Sequence, residues 1–77
     1  MSPIAAPIVP ESVIKAKVAI KDALKHRWPM KLSEIQQVSA TLFKNYIDDA
    51  DGDYALAELT CDKEVVWVDN GGWKLAG

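Results

Sequence analysis

The chain has a single cysteine, Cys61, so no disulfide closes within it, and no cysteine–histidine spacing resembles a zinc site. That scarcity fits a reducing compartment, and the expected location is intracellular, cytoplasmic or in the nucleoid or nucleus, not secreted. No apolar run approaches the roughly 20 residues of a membrane span. The opening Met1-Ser-Pro-Ile-Ala-Ala-Pro lacks a basic stretch and is broken by prolines, so it does not read as a secretory signal. Histidine is equally scarce. His26 and Cys61 stand on different elements, and Ser2, Ser12, Ser33 and Ser39 lie in an arm, at helix starts or within a helix, without a nucleophile motif. A chain of 77 residues also leaves little room for a substrate cavity. The expectation is a protein that is not an enzyme and that holds no metal and no cofactor.

What is present is apolar and charged. Hydrophobic residues make up 49% of the chain, which argues for a folded globule, and the length allows one domain near the lower limit for a single core. The net charge of −2 hides an asymmetry. Through Lys31 there are six basic residues against two acidic ones; from Leu32 onward there are three against nine. Such patterning speaks to partners more than to fold.

Residues 1–9, with Pro3 and Pro7, read as a flexible Pro-rich arm, and 10–77 as the domain. Pro10-Glu11 suits a first helical turn. Val13, Ala16, Ile20, Ala23 and Leu24 then form one apolar stripe, and Pro29 stops the helix near Arg27. Met30-Lys31-Leu32 reads as an extended connector. Ser33 with Gln36 fits a capping box, and Ile35, Val38, Leu42, Phe43, Tyr46 and Ile47 carry a second helix to about Ile47; a competing reading breaks it near Ser39–Thr41. Residues 48–53 are acidic around Gly52 and read as a loop, with Asp53 capping a short third helix, Tyr54–Leu59. Leu56 and Leu59 face the core. Val65–Val68 and Trp73–Leu75 then flank Asn70-Gly71-Gly72, the signature of a hairpin with a tight turn of positive φ.

Helix, connector, capped helix, loop, helix and terminal hairpin resemble a winged-helix domain, a helix-turn-helix variant, over about residues 11–76. The best local piece is Leu56-x-x-Leu59 followed by Val65, although Asp62-Lys63 stands where the family often has glycine. The resemblance implies an α+β, mostly helical fold of three helices and a C-terminal β-hairpin wing. It also implies DNA binding and transcription regulation, with the third helix in the major groove.

The charges argue against that groove contact, because Asp51, Asp53, Glu58, Asp62 and Glu64 crowd the third helix and would repel phosphates. A nucleic-acid contact is therefore expected on a non-standard surface built from Lys15, Lys21, Lys25, Arg27, Lys31 and Lys74. The competing reading of the same lysines is an ordinary solvated helix face. A protein-interaction module is the alternative, an adaptor or inhibitor that uses Asp51, Asp53, Glu58 and Asp62 against a basic partner, or Trp67 and Trp73 against an apolar one. Trp67 and Trp73 read first as a cross-strand pair and second as a stacking platform. Trp28 is expected to cap the core, and Cys61 to be buried. Asp49, Asp51, Gly52 and Glu58 echo part of a calcium loop, but Ile47 falls where its first carboxylate belongs, so a solvated acidic turn is the preferred reading. The opposed charges of the two halves also allow head-to-tail self-association.

Overall fold

Pro10 starts the first helix as its residue type dictates: its carbonyl accepts from the amides of Val13 and Ile14 at 3.0 and 3.1 Å. The computed structural model describes residues 9–69 and 71–76. In chain order it contains α1 (Glu11–His26), α2 (Leu32–Leu42), α3 (Asp49–Cys61), β1 (Val65–Val68) and β2 (Gly72–Leu75). This is the α+β arrangement that the sequence indicates. Residues 1–8 of the proposed arm lie outside the described residues, and Val9 packs on the core. None of the described helices is long and apolar enough to cross a membrane.

The stripe of α1 is buried as its spacing predicts, with Ala19 added to Val13, Ala16, Ile20, Ala23 and Leu24. Small residues on this stripe let α3 approach closely, and α1 against α3 is the main helix pair. Leu59, Val65, Met30 and Ile35 complete a core that is closed to solvent.

The second helix departs from the sequence reading at both ends. Lys31, not Ser33, is its N-cap; the Lys31 amide donates to the Glu34 carboxylate at 3.0 Å. It stops at Leu42, near the break of the competing reading. Ser39 causes the stop: its hydroxyl donates to the Asn45 carbonyl at 2.7 Å, and its own carbonyl accepts from Phe43 and Asn45. Lys44 takes a left-handed φ of 56° to make this possible. Since Ser39 is buried, Ser39→Ala strands the Asn45 carbonyl and is expected to cost about 1–3 kcal/mol, read as a lower urea midpoint with an unchanged slope.

The acidic stretch is helix, not loop. α3 begins five residues before Tyr54, at Asp49, with the Asp48 carboxylate accepting from the Ala50 amide at 3.3 Å. Carboxylates in a first turn face the positive end of the helix dipole, which is why a segment too acidic to bury still winds. Being helical, it cannot wrap an ion as a calcium loop does. The exit from α3 is a Schellman turn: Glu64 N–H to the Leu59 carbonyl at 2.8 Å, Lys63 N–H to Thr60 at 3.0 Å. Lys63, with φ 61°, occupies the left-handed position that the family often gives to glycine.

β1 falls as read, β2 begins one residue earlier than read, at Gly72, and the turn differs. Val68 pairs with Gly72, leaving three residues, 69–71, in the loop, and the positive φ of 123° belongs to Gly72. Asn70, the other half of the predicted turn, lies outside the described residues. The connector is more than a spacer. Met30 forms an antiparallel bridge to Trp73, with N–H to O distances of 3.0 and 2.7 Å, so β2 is flanked on both sides. Two packing expectations fail. Trp28 is 60% exposed, because extended backbone at Arg27 carries it off the α1 stripe. Cys61 is exposed, lying on the side of α3 opposite Leu56 and Leu59.

Candidate binding surface

Folding pairs part of the charge that is segregated along the chain. Because α1 packs on α3, the Lys17 ammonium meets the Glu58 carboxylate at 2.7 Å, and Lys21 meets Glu64 at 2.9 Å. Sequence reasoning missed Lys17. The available signal was its position one turn after Val13, at the border of the buried stripe. Its partner is 41 residues away, a separation no local pattern reports.

The hydrogen bond to Glu58 holds the Lys17 ammonium above its usual pKa of 10.5; partial burial opposes this, and the charges of Glu58, Asp62 and Glu64 add to it. A raised folded pKa contributes stability that is complete below 10.5 and lost as pH rises through the folded value. Glu58→Gln should therefore cost up to about 1 kcal/mol at neutral pH. On the alkaline side, the gap to the unsubstituted protein should persist past pH 10.5 and close only as the Lys17 ammonium loses its proton. Urea midpoints of both proteins from neutral pH into the alkaline range check this, and a gap that closes well below pH 10.5 contradicts it.

Of the other cations singled out, four gather at one end. Lys25, Arg27 and Lys31 lie along the close of α1 and the connector, and the Lys74 ammonium on β2 sits 5.6 Å from the centre of the Trp28 ring. Two carboxylates share this end at longer range: Asp22 is 4.0 Å from Lys25, and Glu34 is 3.7 Å from Arg27. Ion pairs this exposed hold little energy and open readily. Lys15 is elsewhere, lining a hollow of about 260 Å³ with Ser12, Tyr46, Asp48 and Asp51. Lys21 is committed to Glu64.

The outward side of α3 carries Ala50, Asp53, Tyr54, Ala57, Thr60 and Cys61. The Thr60 hydroxyl is turned back to the Leu56 carbonyl at 2.7 Å. That side holds no cation and no long amide or guanidinium donor of the kind that reads base edges. Asp62 caps the helix C-terminus, and Glu58 is turned toward α1. On the hairpin, Trp67 and Trp73 pair across the strands with ring centres 5.2 Å apart at 74°. Trp73 is half-buried against the core, while Trp67 is 51% exposed.

Three helices ending in an antiparallel hairpin, with β2 also bridged to the connector between the first two helices, make a layout compatible with a winged helix. No protein-family model, curated protein or solved structure matches the chain.

Proposed function

We propose that this is a non-enzymatic regulatory domain that binds nucleic acid through the basic end rather than through α3. The observation that carries the reading is the Lys74 ammonium 5.6 Å from the ring of an exposed Trp28, with Lys25, Arg27 and Lys31 all within three residues of Trp28 in the chain, while the outward side of α3 holds no cation. Cations supply most of the affinity for a phosphate backbone, and an exposed aromatic ring adds contact with bases.

Anisotropy of labelled single- and double-stranded oligonucleotides at about 50 mM salt tests it. Binding is expected to fall by about 50-fold between 50 and 200 mM salt if four phosphates are engaged on a single strand. It should also be lost on Lys25→Glu with Lys31→Glu, and kept on Asp53→Asn. No binding of either oligonucleotide ends the reading.

A protein-interaction module is the second reading, and the exposure of Trp67 on the outer strand of the hairpin favours it. Head-to-tail self-association has less support, because Lys17 and Lys21 already find their carboxylates within the molecule. Sedimentation at low and high salt tests it, and a monomer at both ends that reading.

A further inference from the structure

We infer that the nucleic acid taken at the basic end is single-stranded, with a base laid against the Trp28 ring; this rests on the binding reading above. A tryptophan left 60% exposed beside a fully buried Met30 is costly in water, and covering its face recovers apolar area. Trp28, Lys74, Leu75 and Ala76 line an open hollow of about 470 Å³, within the range of small-ligand sites. Its composition is one flat ring, one aliphatic wall and one cation. That set fits a nucleobase with its phosphate, the base stacking on the indole and the phosphate meeting the Lys74 ammonium.

Arg27 and Lys31, on either side of Trp28 in the chain, are the nearest further cations in sequence for neighbouring phosphates, although the Arg27 guanidinium lies 3.7 Å from Glu34 and outside the hollow. Asp22 and Glu34 face the same end and partly offset it, so contacts from all four cations are needed to retain a strand. An intact duplex cannot use the hollow. Its base faces are already covered by stacking, and exposing one costs a few kcal/mol. The element that would have to enter a groove instead, α3, presents alanines, Asp53, Tyr54, Cys61 and a threonine whose hydroxyl is already donated to Leu56, with no cation among them.

The test is titration of the full chain with a thymidine oligomer of about 10 nucleotides and with a duplex of equal length, following anisotropy and tryptophan fluorescence. The single strand is expected to bind at least about tenfold more tightly and to quench the fluorescence, as base–aromatic stacking requires. Trp28→Ala should weaken single-strand binding by about 5- to 150-fold, the equivalent of one stacked base. Trp28→Phe should retain most of it, and Tyr46→Ala, remote and 82% exposed, should change nothing. Circular dichroism establishes that each variant folds. Equal affinity for duplex, with Trp28→Ala without effect, overturns the single-strand inference and leaves the nucleic-acid reading standing. No binding of either oligomer overturns both. Equal competition by polyglutamate also overturns it, in favour of an acidic protein partner.

Discussion

Gly72→Ala is expected to lower stability by about 4 kcal/mol and the melting temperature by 15 °C or more. A Cβ at this position would lie 2.4 Å from both the carbonyl carbon and the oxygen of Met30, and 2.7 Å from the Lys31 nitrogen. These are backbone atoms, so no side chain can swing aside. The φ of 123° adds strain of its own for any residue with a Cβ. The least costly escape is to open the bridge between Met30 and Trp73, which gives up two hydrogen bonds of about 1 kcal/mol each. A domain of this size has about 5–15 kcal/mol in total, so the loss takes a large share of it. Gly52→Ala is the matched contrast. There the nearest atom, at 2.8 Å, is a terminal methyl of Leu32, which can rotate away. Alanine also gains about 1 kcal/mol of helix propensity, so the net change should stay within about 1 kcal/mol. If thermal unfolding shows the two variants alike, the connector bridge does not hold the hairpin in place.

The same contrast explains which parts of the fold were legible. α1 could be read outright because Pro10 and Pro29 bracket an unbroken stripe. The end of α2 could not. Leu42, Phe43, Tyr46 and Ile47 continue the helical spacing across the break, yet only Ile47 returns to the core, and the other three are exposed. The left-handed residue there is Lys44, so no glycine marks the stop. The start of α3 was hidden by a general habit of acids to sit in loops, which the helix dipole overrides. Two adjacent glycines made either one a candidate for the positive φ, so the length of the turn was ambiguous. At the candidate site, the sign of each charge was plain, but its availability was not. Lys21 and Glu58 both looked free in sequence, and both acquire partners only once α1 lies on α3 and β1 follows.

The face of α1 that no described element covers gives the second large prediction its control. Leu24 is fully buried, and Leu24→Ala should cost about 4 kcal/mol through lost transfer energy and the cavity that remains. In a domain this small the cavity has few neighbours that can collapse into it without loosening Met30 or Leu59, so the value should not fall at the low end of the usual range. Val18, on the same helix, is 52% exposed, and Val18→Ala should lie within about 0.5 kcal/mol of zero. A slight gain is expected there, because alanine is the better helix former. Urea unfolding should show a large drop in midpoint for Leu24→Ala and almost none for Val18→Ala, with equal slopes. Comparable losses at both positions would mean that the outward face of α1 is buried too. Dilution then separates the sources of that cover: a loss at Val18 that shrinks on dilution comes from a second copy of the chain, and one that does not comes from within the chain.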